Sequence, residues 1–235
     1  MNAFEKQQWE SFLENALGGL QMAAAELRGN RAGYENRRDW FRSKTSGIPR
    51  ENSVTQALAE VFGRIRSQHN IKGAEPGAID LRHISVACER PRPRDVGISD
   101  MSNPTDLSLV FMKGGELDLR IEAKTVLTDN EVKSQYLGKS GLDRFEDGAN
   151  PYTVQPFGGM VAYVVDLDSA SWSEKIVSGL EAKVGSTRLR SIVLNGGTHA
   201  VSNHAFDLSD ASSVMKKEVD VVHFVIEIDA KPSRR

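Results

Sequence analysis

The chain has 235 residues, of which 39% are apolar and 26% charged, and this is typical of one globular domain or of one domain with a small appendage. Its formal net charge of −2 excludes a polycation, so any nucleic-acid binding must come from local basic patches. The single cysteine, Cys88, excludes an internal disulfide and a thiolate metal site, and no stretch reaches the ~18 apolar residues of a membrane span, so we expect a cytoplasmic protein without a membrane partner.

The first segment, residues 3–28, predicts a helix because apolar residues recur at roughly helical spacing. We expect it to pack on the core, with a dimer or partner surface as the alternative. Residues 29–50 are polar and basic with interleaved aromatic residues, which suits contacts with nucleic acid or, equally, a solvated connector held by its aromatics. The predicted organisation is an N-terminal helix and basic connector over 1–48 and a main domain over 49–235.

A second helix is predicted from Pro49 to Gln68, because its apolar residues fall on one face. Glu51 lies on that face near the helix start, whereas Glu60 lies nearly opposite and should be solvated. Glu51 is therefore the acid of this helix that could face a site. The alternative is a first-turn glutamate that is favoured by the helix dipole.

A strand is predicted from Ile79 to Glu89, followed by a loop with alternating arginines and prolines. Prolines end strand pairing and keep such a loop extended, so that the arginine side chains project. The three arginines form a candidate phosphate clamp, with a solvated loop as the alternative. They are Arg90, Arg92 and Arg94.

The central stretch, residues 103–126, predicts two strands joined by a tight loop. Because strand side chains alternate between faces, the second strand has one apolar face and one charged face. The charged face carries Asp118, Arg120, Glu122 and Lys124. This face therefore places a carboxylate and an amine two residues apart, where they could hold a cation and position a water.

The pairing of these two strands depends on the length of the loop. A two-residue turn would put Asp106 on the apolar face, away from Glu122. A three-residue loop over residues 113–115 puts Asp106 opposite Glu122 and also aligns apolar pairs across the strands, which stabilise a hairpin by roughly 0.2–1 kcal/mol each. We predict this register, which pairs Leu107 with Ile121, Leu109 with Leu119 and Phe111 with Leu117.

After the hairpin, Thr128 to Glu131 forms a capping box that predicts a helix start. The glycines over residues 136–145 indicate a broken helix or a close approach to a ligand. Three polar residues of this region are candidate nucleic-acid contacts, although surface lysines and salt-bridged arginines are common. They are Gln135, Lys139 and Arg144.

The C-terminal part predicts a strand over residues 159–166, a helix opened by a capping box at Ser171, and strands over 190–194 and 223–229. Two histidines, His199 and His204, lie five positions apart in a segment rich in glycine and asparagine. We expect them in a loop or at the surface, because a third metal ligand is not evident nearby.

The carboxylates of the central hairpin suit Mg²⁺, which prefers hard oxygen ligands and takes one or two carboxylates. Asp106, Glu122 and the Ala123 carbonyl could supply such ligands. The cation would stabilise charge on a phosphate and lower the pKa of a bound water. Lys124 could orient or deprotonate that water, or neutralise the developing charge.

Pro104, Asp106 and the run Glu122-Ala123-Lys124 resemble the motif of the PD-(D/E)XK nuclease superfamily. Here Pro-Thr-Asp is followed by a gap of fifteen residues and then Glu-Ala-Lys, and the extra Thr105 departs from the usual motif. In that family a preceding helix often contributes a glutamate, and Glu51 matches that place. The resemblance covers roughly residues 51–166.

The resemblance implies an α/β restriction-endonuclease-like core, a central mixed β-sheet flanked by helices, here with an N-terminal helical extension. It also implies a Mg²⁺-dependent phosphodiester hydrolase, with Mn²⁺ as a substitute, most often acting on DNA, although RNA is not excluded. We expect a bacterial endonuclease of a restriction or anti-phage defence system, with a homodimer or partner subunits. The implied metal ligands are Asp106, Glu122, Ala123 and Glu51, and the implied catalytic residues are Asp106, Glu122, Lys124 and Glu51.

Three other functions are alternatives to this one. A catalytically inactive module that kept the fold would bind nucleic acid or a partner through the basic segments at 31–50 and 90–94. A metal hydrolase built on His199 and His204 lacks ligands, and a serine hydrolase lacks a G-x-S-x-G elbow.

Overall fold

The structure is a computed structural model that describes residues 1–37, 40–42, 47–73, 78–88, 105–112, 117–148, 151–165, 169–209 and 214–228. Its helices are α1 (Ala3–Gly29), α2 (Arg31–Glu35), α3 (Glu51–Lys72), α4 (Asp129–Glu131) and α5 (Ser169–Val184). A π-helical turn, Val132–Tyr136, continues α4, and 3₁₀ turns follow at Leu142–Phe145 and Ser186–Arg188. Its strands are β1 (Ile84–Cys88), β2 (Leu107–Phe111), β3 (Leu117–Thr125), β4 (Phe157–Val164), β5 (Leu189–Leu194), β6 (Gly197–Ser209) and β7 (Val214–Glu227).

The strands form one mixed sheet of seven strands in the order β1-β2-β3-β4-β7-β6-β5. The three central strands β3, β4 and β7 run parallel, while the pairs at either side are antiparallel. Parallel strands need a crossover, and the α4 segment links β3 to β4 while α5 follows β4. The chain is therefore an α/β protein with a mixed sheet flanked by helices, as predicted.

Helices cover both faces of the sheet and bury two separate apolar layers. On one face α1 and α3 pack on β3 and β7, with Leu13, Leu17, Leu58 and Phe62 fully buried. On the other face α5 and the segment around the π-helical turn pack on β4, β6 and β7. The helix predicted over 3–28 therefore packs on the core, as expected. The division into 1–48 and 49–235 remains a prediction.

The described residues contain no helix that combines the length and the apolar character needed to cross a membrane.

Several element boundaries differ from the prediction, and the largest difference is at β7, which begins at Val214 rather than at His223. β1 begins at Ile84 rather than at Ile79, because Asp80 accepts hydrogen bonds from the Arg82 backbone and guanidinium and closes a turn before the strand. α5 begins at Ser169, two residues before the predicted capping box at Ser171, and the Glu227 carboxylate accepts the Ser169 N–H at 2.6 Å. A distant residue thus caps this helix, which local sequence cannot reveal.

The prediction for the two histidines was wrong. His199 and His204 lie on β6, a strand of thirteen residues, and His204 is fully buried. Because they are five positions apart on a strand, they point to opposite faces of the sheet and cannot share a metal ion. By contrast, the helix start predicted at Thr128 is confirmed, since its hydroxyl accepts the Glu131 N–H at 3.2 Å. The reciprocal half of the capping box differs, because the Glu131 carboxylate accepts the Leu127 N–H.

Candidate active site

The β2–β3 hairpin has the predicted register. Leu107 pairs with Ile121 at one end and Phe111 with Leu117 at the other, and the loop residues 113–116 lie outside the described part. Asp106, which directly precedes β2, is therefore brought opposite Glu122. The apolar face of β3 packs in the α1–α3 layer, so core packing itself fixes this register.

Within the described residues, β2 pairs with β3 only as far as Ile121, and two carboxylates bond to the backbone of β3 beyond that point. The Asp106 Oδ2 atom accepts the Ala123 N–H at 2.7 Å, and the Glu51 Oε2 atom accepts the Thr125 N–H at 2.8 Å. Backbone N–H groups two residues apart on a strand point to the same side. The two acids are thus held side by side along this part of β3.

The ammonium of Lys124 lies at the centre of the cluster. Its Nζ donates to Glu122 Oε1 at 2.6 Å, to the Ala123 carbonyl at 2.8 Å and to Glu51 Oε1 at 3.3 Å. Glu122 and Lys124 are only 5% and 9% exposed. The structure therefore brings together all four predicted catalytic residues, Asp106, Glu122, Lys124 and Glu51.

Burial and mutual repulsion alter the acidity of these groups. Burial, together with the Glu122 carboxylate, raises the pKa of Asp106 to about 7, against a stabilising hydrogen bond from the Ala123 N–H. Burial likewise raises the pKa of Glu122, although Lys124 opposes the rise. Burial by itself lowers the pKa of Lys124, but the neighbouring carboxylates outweigh it, so the net shift is upward and the amine stays protonated. Three carboxylates and one ammonium thus lie close together in a poorly solvated place.

The oxygens around Lys124 fit a cation. In the described part of the chain, no three His, Cys, Asp or Glu side chains already meet as a ready-made metal site. However, Glu122, Glu51 and the Ala123 carbonyl already converge on a positive charge, the ammonium of Lys124. These are hard oxygen donors of the kind that Mg²⁺ prefers, and Asp106 adds a further carboxylate.

Sequence inspection did not identify Tyr152, which lies in the segment before β4. It is 1% exposed, and its hydroxyl interacts with the Glu122 carboxylate. The Arg144 guanidinium stacks on its ring at 4.5 Å from the centroid, and its charge, like that of Lys124, opposes the rise in the pKa of Glu122 that burial causes. Tyr152 belongs to no recognisable sequence motif and lies thirty positions after Glu122, so only the tertiary structure could reveal this contact.

Five predicted nucleic-acid contacts remain. Arg90, Arg92 and Arg94 lie outside the described residues. Gln135 and Lys139 are exposed, and neither takes part in the hydrogen bonds described for the site.

A second polar cluster lies beneath α5, on the other side of β4. The Ser202 hydroxyl bonds to His204 at 2.7 Å and to His223 at 2.8 Å, while the Glu146 carboxylate lies 2.7 Å from His204 Nδ1. His223 continues the chain to the Tyr136 hydroxyl at 3.1 Å. This serine–histidine–acid geometry resembles that of hydrolases, but Ser202 and His204 are 0% exposed, so a substrate cannot reach them. We interpret the cluster as a buried structural network.

Comparisons with protein-family models, curated proteins and solved structures found no match for this chain.

Proposed function

We propose that the chain is a metal-dependent nuclease with a restriction-endonuclease-like core, which hydrolyses phosphodiester bonds. The observation that carries the proposal is the convergence of Asp106, Glu122, Glu51 and Lys124 at the end of the β2–β3 pairing. Asp106 and Glu122 come from the two arms of one hairpin, and Glu51 comes from the distant helix α3. Three buried or half-buried carboxylates around one lysine are costly to fold, and such clusters concentrate at functional sites.

Asp106, Glu122, Glu51 and the Ala123 carbonyl would hold Mg²⁺, or Mn²⁺ in its place. The bound cation would stabilise negative charge on the phosphate and lower the pKa of a water. Its positive charge would also relieve the repulsion that raises the pKa of Asp106. A divalent cation would therefore stabilise the ionised form of these carboxylates.

Lys124 would act as a positive charge in the reaction. Its raised pKa keeps the amine protonated at neutral pH, so a protonated ammonium is available to neutralise the developing charge on the phosphate. Asp106 must lose its proton before it can bind a cation, and its pKa of about 7 makes that step sensitive to pH. Metal binding should therefore strengthen between pH 6 and pH 8.

The substrate and the biological setting come from the resemblance of the motif. We propose DNA as the main substrate, with RNA as a further candidate, and a bacterial restriction or anti-phage defence system as the setting. A homodimer or partner subunits would supply the second strand cut.

The test is cleavage of supercoiled plasmid and of labelled single-stranded DNA and RNA with Mg²⁺ or Mn²⁺. We expect metal-dependent nicking that is lost in Asp106→Ala and Lys124→Ala. Glu51→Gln should weaken it, whereas Glu60→Gln is the matched control, because Glu60 lies on the same helix but pairs with Arg37 at 2.7 Å. Cleavage that survives in Asp106→Ala would contradict the assignment.

The alternative is an inactive subunit that binds nucleic acid or a partner. One observation favours it: the Lys124 ammonium already bonds to Glu122, Glu51 and the Ala123 carbonyl, as a salt-bridge network would require. If no substrate is cut with either metal while nucleic acid still binds, this alternative is correct.

A further inference from the structure

Tyr152 is fixed from four directions. Its backbone N–H donates to the Arg144 carbonyl at 3.4 Å, and its own carbonyl accepts from Arg120 Nη1 at 3.2 Å. Its ring packs edge-on against Phe145 at 5.3 Å between centroids. Its hydroxyl reaches Glu122. A side chain held this firmly can act as a rigid support for its neighbours.

The Arg144 guanidinium lies over a face of the Tyr152 ring. It is half-buried, stacks on the Tyr152 ring at 4.5 Å, and is close enough to Glu122 to interact with its charge. Within the described residues, no carboxylate lies within ion-pair distance of Arg144, whereas Arg120 pairs with Asp118 and Arg188 with Glu146. A stacked guanidinium keeps its N–H donors in one plane, which suits an anionic oxygen.

We propose that Arg144 binds a phosphate oxygen of the nucleic-acid strand beside the acid cluster, and that Tyr152 is a positioning residue that holds Arg144 and Glu122 in register. This inference rests on the proposed nuclease function. The acids attract a cation and repel a polyanion, so the strand needs a positive group that stays ordered next to them. A guanidinium held on a buried tyrosine supplies that group without the conformational cost of ordering a free arginine.

The first test is binding without catalysis, measured by fluorescence anisotropy of a labelled DNA strand in EDTA over a range of salt concentrations. Arg144→Gln should weaken binding by about 10-fold or more, as expected for loss of a charged hydrogen bond. It should also reduce the slope of log K against log salt by about 1, as for one phosphate contact. Arg144→Lys should restore the slope but only part of the affinity, because it keeps the charge and loses the planar stack.

Arg82→Lys and Arg82→Gln are the matched controls, since Arg82 pairs with Asp80 at the surface and lies outside the site. Both should leave affinity and slope unchanged. If Arg144→Gln behaves like Arg82→Gln, Arg144 does not contact phosphate and the inference is overturned, whether or not the wild-type protein cleaves.

The second test isolates Tyr152 with Tyr152→Phe, which keeps the ring and removes the hydroxyl. Its Mn²⁺ affinity, measured by isothermal titration calorimetry without nucleic acid, should fall several-fold because Glu122 loses the hydroxyl group that supports it. The slope of the DNA-binding test should stay at the wild-type value in Tyr152→Phe, because the ring still supports Arg144. An unchanged Mn²⁺ affinity in Tyr152→Phe would overturn the positioning role.

Cleavage assays on the wild type and these variants distinguish a failure of this inference from a failure of the proposed function. If wild-type protein binds Mn²⁺ and DNA but cuts neither DNA nor RNA, the nuclease proposal fails while both contacts remain measurable. If it cuts, Arg144→Gln should raise KM more than it lowers kcat, whereas a merely destabilised site would lose kcat and metal affinity together.

Discussion

Asp106→Asn should make the metal-free protein more stable at pH 8 while it abolishes metal binding. The pKa of Asp106 rises from its ordinary 3.8 to about 7 on folding, because the carboxyl is half-buried next to Glu122. The folded state therefore holds a proton that the unfolded state has lost, and stability falls as pH rises from about 4 to 7. A shift of about three pKa units corresponds to up to about 4 kcal/mol.

The asparagine removes this charge but loses a charge-assisted hydrogen bond from the Ala123 N–H at 2.7 Å, which costs about 1 kcal/mol. We expect Asp106→Asn to be more stable than wild type by about 1–3 kcal/mol at pH 8 in EDTA, and about equal to it near pH 4. Excess Mn²⁺ should reverse the order at pH 8, because only wild type gains binding energy in the folded state.

Urea denaturation followed by tryptophan fluorescence measures this difference, since Trp9, Trp40 and Trp172 are all buried in the folded protein. The difference between the two proteins isolates Asp106 and its coupling to the neighbouring Glu122, because titrating groups outside the cluster cancel. Asp80→Asn is the control of opposite sign: hydrogen bonds from Arg82 lower the pKa of Asp80 to about 2, so its loss should destabilise the protein at pH 8. An Asp106→Asn variant less stable than wild type at pH 8 would refute the electrostatic argument.

Three further predictions concern Lys124, His223 and two glycines. Lys124→Met leaves two carboxylates without their shared cation and should lower the free energy of unfolding at pH 8 by about 3–5 kcal/mol. An equal loss at pH 5, where the acids take up protons, would contradict the unpaired charges as the cause. Burial lowers the pKa of His223 to about 3, so stability should fall as pH drops below 6.5, by about 1.4 kcal/mol per unit, and urea titrations of His223→Gln should show a shallower fall. The side chain of Gly158→Ala would overlap the Phe145 ring and should cost about 1–3 kcal/mol in thermal denaturation, whereas Gly63→Ala, with open space on α3, should stabilise by up to about 1 kcal/mol.

The sequence by itself was sufficient for the central hairpin. Alternation of apolar and charged residues on β3, together with the need to pair apolar residues across the strands, allows only one register that also buries them. That register places Asp106 opposite Glu122. The helix phase of α3 in turn places Glu51 towards the site and leaves Glu60 exposed, paired with Arg37. Both results follow from the periodicity of a strand or a helix, which can be recognised from the spacing of residues in the sequence.

Contacts between distant segments could not be predicted in this way. β6 was missed because its inward positions carry Ser202 and His204, whose polarity hides the alternation of a strand. Their burial becomes favourable only when Glu146 and His223, from other segments of the chain, complete the hydrogen bonds. From sequence alone a polar residue is expected to be exposed, because the partner that would allow its burial is not known.

The candidate site shows the same division. The sequence determined which acids and which lysine belong together, because they lie on paired strands and on one helix face. Only the tertiary structure decided that both faces of β3 are buried, that Lys124 stays protonated between Glu122 and Glu51, and that Tyr152 holds Arg144 beside them. The reason is physical: desolvation and charge coupling depend on every group within a few ångströms, and most of those groups are distant in sequence.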